Sequence, residues 1–226
     1  MIRGILFDKD GTLFDFQASW GAWAAALLHR LSPDPDPLAR RIRFDLRTQR
    51  FAPDSPVIAS TSAEVADLML PDLPDWTRDD LLALMNRLSA DAPMVEAVPL
   101  APLLEGLTAR GMHLGVATND GEAPARRQME RAGVDRLFPF VAGFDSGHGG
   151  KPAPGQLLAF CAATGLPPSQ VAMVGDSAHD LHAARAAGMA AVAVLTGPAL
   201  RGDLERLADV VLNDIGELPA WLDETG

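Results

Sequence analysis

Residues 2–13 read IRGILFDKDGTL, a largely apolar run that ends in two carboxylates, Asp8 and Asp10, followed by a glycine. The apolar part predicts a buried strand over residues 2–7. Two like charges so close together raise each other's pKa, and burial adds a desolvation cost. The pair therefore indicates a bound cation or catalytic carboxylates, although an ordinary Asp-Gly turn fits the same letters.

Further strands are predicted in the second half of the chain, where short apolar runs alternate with helical stretches from about residue 99 onward. These runs cover residues 112–117, 171–174, 190–195 and 210–212. They are apolar throughout, which is typical of parallel strands covered on both faces. The helical stretches between them end at glycines suited to a C-terminal cap: Gly111, Gly133, Gly165 and Gly188. The alternation predicts an α/β fold with a doubly wound parallel sheet.

Residues 16–91 have a different pattern. Apolar residues recur there at helical spacing, proline-rich joints separate the helices, and neither a strand pattern nor a repeat is visible. We predict that residues 16–91 form a helical cap, inserted after the first strand of a catalytic core made of residues 1–15 and 92–226. Such an insert lies over the carboxyl ends of the strands, where ligands bind in open α/β sheets, and could act as a lid.

Composition excludes several classes of protein. The net charge is −11, from 19 basic and 30 acidic residues, which argues against nucleic acid as a partner. The chain has one cysteine, Cys161, which excludes an internal disulfide and fits a reducing compartment. No apolar run approaches the roughly 18–20 residues that span a bilayer, and the N-terminus lacks a signal-peptide layout. We expect a cytoplasmic protein with no membrane partner.

Three more polar motifs follow predicted strands or start helices. Thr118 and Asn119 follow one strand and could bind an oxyanion or simply close a turn. Lys151 follows two glycines, which indicates close backbone approach, although most lysines are solvated charges. Asp176 and Asp180 follow another strand and are one helical turn apart, so both can face one point at the helix start. An N-cap explains either aspartate alone, but not both together with Asp8 and Asp10.

These motifs in this order resemble the phosphatase branch of the haloacid dehalogenase superfamily. The resemblance covers the whole chain: DKDGTLFD, ATN, GKPAP and GDSAHDLHAARAAG follow one another at suitable separations. The insert resembles the small helical cap of the phosphoglycolate-phosphatase-like subgroup. The resemblance implies hydrolysis of a small phosphomonoester with Mg²⁺, through an aspartyl-phosphate. It also points to 2-phosphoglycolate as the first substrate to consider.

The resemblance also assigns roles to residues. Asp8 would be the nucleophile, and Asp10 would protonate the leaving alcohol and then activate water. Mg²⁺ would bind Asp8, the backbone carbonyl of Asp10 and Asp176, with Asp180 in direct or water-mediated support. Phosphoryl oxygens would be held by Thr118, the Asn119 backbone and Lys151. On this reading Lys151 supplies the site's one positive charge, so a divalent cation and a protonated Asp10 are needed to offset the four carboxylates.

Two further features concern substrate choice. Within residues 40–50 (RRIRFDLRTQR), a helix would place Arg40, Arg43, Arg47 and Arg50 on one face. Arg43 and Arg47 could meet an anionic group of the substrate, or they could belong to a solvated face. Asp120, where these phosphatases often carry a lysine or another residue, is a departure of unknown effect. Trp20 and Trp23 fit the core of the cap better than a pocket wall.

Other functions are compatible with parts of this pattern. A phosphosugar mutase uses the same residues, and a phospho-accepting receiver-like signalling domain also combines carboxylates, Mg²⁺, a hydroxyl and a lysine. Receivers are about half this length and lack a cap. The dehalogenases that named the superfamily lack an acid at the position of Asp10, which argues against that reaction. The chain could be a monomer or a homodimer.

Overall fold

A six-stranded parallel sheet forms the centre of the molecule in the computed structural model, which describes residues 1–58 and 60–225. The strands are β1 (Gly4–Phe7), β4 (His113–Ala117), β5 (Phe140–Ala142), β6 (Val171–Gly175), β7 (Ala190–Val194) and β8 (Val210–Leu212). Their order across the sheet is β5-β4-β1-β6-β7-β8, which places β1 at the centre. The predicted α/β fold with a doubly wound parallel sheet is confirmed.

Helices cover both faces of this sheet. They are α5 (Leu100–Ala109), α6 (Glu122–Arg131), α7 (Gly155–Thr164), α8 (Ala178–Ala187), α9 (Arg201–Leu204) and α10 (Leu218–Glu224). One buried cluster includes Ile5 and Phe7 of β1, and a second includes Leu6. The alternation along β1 thus feeds a core on each face of the sheet, which is why its sequence is apolar throughout. The α8 helix ends at Gly188, whose left-handed φ of 76° suits the glycine predicted at that position.

The cap segment has its own hydrophobic cluster, which extends from Phe16 to Ala92. Its helices are α1 (Phe16–Leu31), α2 (Asp36–Arg41), α3 (Ser62–Met69) and α4 (Arg78–Ser89). This separate cluster is consistent with the predicted division into cap and core, which stays a prediction.

Two strands in the cap differ from the prediction. The cap holds a short antiparallel hairpin, β2 (Phe44–Asp45) and β3 (Arg50–Phe51). The expectations of no strand in this segment and of a helix over residues 40–50 are therefore wrong. Phe44 and Phe51 are paired across the hairpin and are both buried. The apolar residues of this stretch therefore belong to two short strands and not to one face of a helix. Arg43 has a left-handed φ of 52°, which ends the preceding helix.

The two segments that connect the cap to the core run side by side. Phe14 and Glu96 form an antiparallel bridge. The amide of Asp15 donates to the carbonyl of Val95 at 2.8 Å, and the amide of Ala97 donates to the carbonyl of Leu13 at 3.0 Å. The cap therefore leaves and rejoins the core at neighbouring points, next to Asp8 and Asp10 in the chain.

No helix within the described ranges combines the length and the apolar composition needed to cross a membrane.

Candidate active site

Strand register brings the predicted site residues to one edge of the sheet. Phe7 of β1 is level with Val116 of β4 and Val174 of β6, so Asp8, Thr118 and Asp176 follow neighbouring strand ends. The amide of Asp8 donates to the carbonyl of Val174 at 2.8 Å, which fixes the first residue beyond the strand. Because parallel strands end at a common edge, residues far apart in sequence converge there.

Lys151 connects two of the carboxylates. Its Nζ lies 2.6 Å from Oδ1 of Asp8 and 2.6 Å from Oδ1 of Asp180, and all three side chains are buried. The other oxygen of Asp180, Oδ2, accepts from the amide and the hydroxyl of Ser177 at the start of α8. Both oxygens of Asp180 thus already have protein donors, which suits the supporting part foreseen for it.

Burial and neighbouring acids disfavour the charged forms of both Asp8 and Asp176. Burial is the main cause that raises the pKa of Asp8 to about 7; Lys151 acts against it, and Asp180 and Asp10 add to it. Burial also raises the pKa of Asp176 well above its ordinary value, and repulsion from Asp8 and Asp180 adds to this.

These carboxylates form a set suited to a hard divalent cation. Asp8, Asp176 and Asp180 each offer an oxygen, and the three oxygens lie within 4.8 Å of one another. A cation there would relieve the repulsion that disfavours the charged forms of Asp8 and Asp176. Carboxylate oxygens are also the ligands that Mg²⁺ prefers. The donor set therefore fits the predicted metal.

Two glycines leave room for Asp176. A Cβ at Gly11 would lie 2.4 Å from Oδ2 of Asp176, and one at Gly197 would lie 1.7 Å from the same atom. Gly11 also has a left-handed φ of 86°. The loop after β7 therefore contributes to the site by backbone approach, which sequence patterns of polar residues could not reveal.

Asn119 and Thr118 organise the loops around Lys151. Asn119 Nδ2 donates to the carbonyl of Lys151 at 2.9 Å, and the amide of Lys151 donates back to Asn119 Oδ1 at 2.8 Å. A Cβ at Gly150 would lie 3.0 Å from that same Oδ1, whereas one at Gly149 would meet no described atom within 4 Å, so the close backbone approach expected before the lysine holds for the second glycine alone. The hydroxyl of Thr118 accepts from the amide of Asp120 at 3.0 Å.

Lys9 is a second buried cation that the sequence reading did not identify. Its side chain is fully buried, and Nζ lies 2.8 Å from Oδ1 and 2.7 Å from Oδ2 of Asp10. It also contacts Gln128 Oε1 at 2.7 Å and Asp120 Oδ2 at 3.4 Å. Burial alone would lower the pKa of Lys9, but Asp10 and Asp120 together raise it. The expectation that Lys151 is the one positive charge of the site is therefore wrong.

Asp120, the residue that departs from the usual pattern of these phosphatases, is paired with Lys9. Burial raises the pKa of Asp120, and Lys9 acts against that rise. The unusual acid after the Thr-Asn motif and the lysine between Asp8 and Asp10 thus form one buried pair. In the sequence, Lys9 and Asp120 are each a charged residue within a polar motif that follows a predicted strand. Nothing in the sequence indicates that the two side chains meet.

The cap contacts Asp10 directly. The indole Nε1 of Trp20, on α1, donates to Oδ1 of Asp10 at 2.7 Å, and the Lys9 ammonium lies 5.1 Å from the centre of the Trp20 ring. Trp20 belongs to the cap's buried cluster and also lines the cavity above Asp8. It therefore serves both as cap core and as pocket wall, which the sequence analysis treated as alternatives. Asp10 lines the same cavity, so Lys9 and Trp20 both donate to a carboxylate of the candidate site.

A cavity of about 120 Å³ lies between cap and core. Its core side is lined by Asp8, Asp10, Thr118, Asn119, Asp120, Lys151, Asp176 and Asp180. Arg43 and Arg47 are not among its described lining residues, and Arg43 pairs with Asp54 on the surface of the cap. The structure thus brings the core residues of the prediction together and leaves the two cap arginines outside.

Known proteins resemble this chain over most or part of its length. A family model described as haloacid dehalogenase-like hydrolase matches residues 2–188. A phosphoglycolate phosphatase of Rhodospirillum rubrum is 38% identical over 120 residues, which cover 53% of this chain and 50% of that protein. A phosphoglycolate phosphatase of Salmonella choleraesuis is 26% identical over 87% of this chain and 82% of its own length. The first curated relatives are thus matched over about half of their length.

A solved structure of β-phosphoglucomutase from Clostridium difficile has a similar fold. It is 17% identical, with a TM-score of 0.72 over 99% of this chain and 96% of that one. The family model spans four of the six strands (β1, β4, β5 and β6), the cap and the motifs that carry the site. The chain therefore belongs to the haloacid dehalogenase-like hydrolases, as its motifs predicted.

Proposed function

We propose that this protein is a Mg²⁺-dependent phosphatase that hydrolyses a small phosphomonoester through an aspartyl-phosphate on Asp8. The observation that carries the proposal is the placement of Asp8 at the end of the central strand, 2.6 Å from Lys151 and within 4.8 Å of the oxygens of Asp176 and Asp180. Carboxylate nucleophiles divide a difficult displacement into two easier steps.

In the first step, a carboxylate oxygen of Asp8 attacks phosphorus, and the bond from phosphorus to the ester oxygen breaks. Asp10 gives its proton to the departing alkoxide, so the alcohol leaves neutral. In the second step, Asp10 takes a proton from a water molecule as that water attacks phosphorus, and Asp8 is released with inorganic phosphate. Lys9 and Trp20 hold Asp10 in one orientation through both proton transfers.

The phosphoryl group needs positive charge and donors around it. Lys151, the hydroxyl of Thr118 and the backbone of Asn119 are the groups that we assign to its oxygens. When bound, Mg²⁺ would be held by Asp8, Asp176 and the carbonyl of Asp10, and it would offset charge on the phosphoryl oxygens. Asp180 supports this set by holding Lys151 in place.

Phosphate release from p-nitrophenyl phosphate with Mg²⁺ tests this proposal. We expect steady turnover that is lost with EDTA and falls by at least about 10³-fold in Asp8→Asn, since the nucleophile is gone. Asp75→Asn, which removes an exposed carboxylate from the cap, is the matched control and should keep full activity. One phosphorylation per chain without release would support the receiver-like alternative instead.

The relatives named as phosphoglycolate phosphatases make 2-phosphoglycolate the reference substrate for the assay. The fold shared with β-phosphoglucomutase keeps a phosphosugar mutase as the second candidate. Product analysis with a hexose phosphate separates the two: a phosphatase yields free sugar and inorganic phosphate, whereas a mutase yields an isomeric sugar phosphate.

A further inference from the structure

The cap contributes an apolar wall to the cavity that Asp8 and Lys151 line. Eight large apolar side chains of the cap take part, among them Trp20, Trp23, Phe51, Val57, Ile58 and Met85. Most of this wall belongs to the cap's own hydrophobic cluster, so it is fixed by packing. The part of a substrate that extends from the phosphoryl group toward the cap therefore meets hydrocarbon and aromatic rings.

The serine hydroxyls of the cap wall already have protein acceptors. Three serines line the cavity from this side. The hydroxyl of Ser60 donates to the carbonyl of Pro56 at 2.6 Å, that of Ser62 to Asp120 Oδ1 at 3.2 Å, and that of Ser89 to the carbonyl of Asn86 at 3.1 Å. Among the described lining residues, the one buried side-chain donor without an acceptor is the neutral indole N–H of Trp23.

Positive charge is confined to the core side of the cavity. Of the lining residues that the structure describes, those able to carry it are Lys151 and His179, both outside the cap. Lys151 is bound to Asp8 and Asp180, and His179 precedes Asp180 at the start of α8. Arg41 and Arg43 of the cap pair with Asp72 and Asp54, away from the cavity.

We infer that the preferred substrate is the phosphate ester of a small alcohol whose remaining part is uncharged and apolar, and that a carboxylate next to the ester is disfavoured. This inference rests on the proposed phosphatase function and narrows its substrate. Apolar surface gains free energy on burial, whereas a carboxylate loses its hydration against this wall without gaining a cation. Because the phosphoryl group occupies the core side of the cavity, the alcohol part of the substrate is the part that lies against this wall.

A matched pair of substrates tests the inference. Isobutyl phosphate and 2-phosphoglycolate share the same arrangement of non-hydrogen atoms, with two methyl groups in place of the two carboxylate oxygens. We expect kcat/KM for isobutyl phosphate to exceed that for 2-phosphoglycolate by at least about 10-fold, since a buried unpaired charge costs more than the loss of a methyl contact.

Three variants locate the cause of the preference. Ile58→Arg places a cation on the cap wall and should lower the ratio of the two kcat/KM values by about 10-fold or more. Ala26→Arg adds the same charge to the exposed face of α1, and Arg47→Ala removes a cap arginine outside the cavity. Both should leave the ratio within about twofold of the wild-type value, because neither position lines the cavity.

The outcomes separate this inference from the proposed function. Equal or faster hydrolysis of 2-phosphoglycolate by the wild type, or a selective loss of that activity in Arg47→Ala, overturns the inference and leaves the phosphatase intact. Turnover of p-nitrophenyl phosphate with none of isobutyl phosphate does the same. No phosphate release from any of the three substrates contradicts the proposed function itself, and the inference falls with it. The wild-type ratio decides the matter even if Ile58→Arg fails to fold.

Discussion

Lys9 is fully buried and lies between two carboxylates, Asp10 and Asp120, both of which it contacts. Removing one partner of a buried ion pair leaves an uncompensated charge, which is far more costly than losing an exposed pair. We expect Lys9→Met to lower the free energy of unfolding by about 3–5 kcal/mol, measured by urea denaturation. Arg78→Met, which breaks the exposed pair with Asp67, is the control and should change stability little.

The double variant Lys9→Met with Asp120→Asn extends this test. Because Asp120→Asn removes one of the two carboxylates that Lys9 contacts, the double variant should be less destabilised than the sum of the single ones. Strict additivity of the two effects would show that the pair does not interact energetically. The comparison is made on the free energy of unfolding, under conditions where all variants fold.

The carboxylates of the proposed metal site lead to a prediction on pH. The pKa of Asp8 rises from 3.8 to about 7 on folding without a cation, because the site is buried and shared with other acids. Between these values the folded state binds more protons than the unfolded one, so stability falls as pH rises from about 4 to 7. We expect the melting temperature in EDTA to fall by several degrees over this range.

Magnesium should reverse that trend, since a divalent cation replaces the proton that Asp8 would otherwise hold. The increase in melting temperature on adding Mg²⁺ should therefore be larger at pH 7.5 than at pH 5. In Asp8→Asn the fall with pH should be smaller, because the group that titrates is gone. A melting temperature that depends on neither pH nor Mg²⁺ would contradict the assignment of these carboxylates to a metal site.

Residue types at strand ends were predictable, whereas their partners were not. Asp8, Thr118 and Asp176 could be placed together because parallel strands end at a common edge. The contact between Lys9 and Asp120 depends on side-chain directions in two separate loops, and no pattern in the sequence encodes those directions.

At the scale of elements, α1 packs closely against the cap hairpin. A Cβ at Gly21 would lie 2.2 Å from the carbonyl oxygen of Gln49, in the turn between β2 and β3. Gly21→Ala therefore requires the backbone to move and should lower the free energy of unfolding by about 1–3 kcal/mol, as overpacking does. Trp20, its neighbour, should shift with α1, so phosphate release should fall as well.

The matched control is another helical glycine. Gly106 lies on the exposed side of α5, and a Cβ there would have no other atom within 4 Å. Gly106→Ala should raise the free energy of unfolding by about 0.5–1 kcal/mol, because alanine loses less backbone entropy in a helix. Equal effects of the two substitutions in denaturant unfolding would show that the contact with Gln49 is unimportant.

Elements with long apolar runs were the predictable ones. The strands β1, β4, β6, β7 and β8 coincide with runs of apolar residues, and each of the helices α5 to α8 is followed within two residues by a glycine. The strand β5 has three residues and the cap hairpin has two per strand, which is too short for a period to show. The strands β2, β3 and β5 form because an adjacent strand, β3, β2 and β4 respectively, supplies their backbone hydrogen-bond partners.

At the scale of the whole molecule, cap and core are joined through the site itself. Trp20 of the cap donates to Asp10, and the Gln128 side chain of the core donates to the carbonyl of Ser89 at 2.7 Å. We expect Trp20→Phe, which keeps an aromatic side chain but loses the indole donor, to lower kcat for p-nitrophenyl phosphate by about 10-fold, because the lost hydrogen bond positions the group that transfers the proton. KM should change less than kcat, because Asp10 acts in the chemical steps.

Trp23→Phe is the control for that substitution. Trp23 lines the same cavity and packs edge-to-face on Trp20, with ring centres 4.9 Å apart, but its buried indole N–H has no acceptor among the described residues. Removing this donor should leave kcat nearly unchanged. A similar fall in kcat for both variants would indicate a packing effect of the cap, and would remove the special role of the contact between Trp20 and Asp10.

The side-by-side connections at Phe14 and Glu96 have a consequence for exchange of the cap. Since the amide of Asp15 already contacts the carbonyl of Val95, the inserted segment starts and ends at nearly the same point in space. A different insert between these ends would leave the course of the surrounding chain unchanged, and each doubling of its length would cost only about 0.6 kcal/mol in closure entropy. Exchange of the segment between these two ends would therefore replace the surface that faces the substrate while leaving the residues of the core site in place.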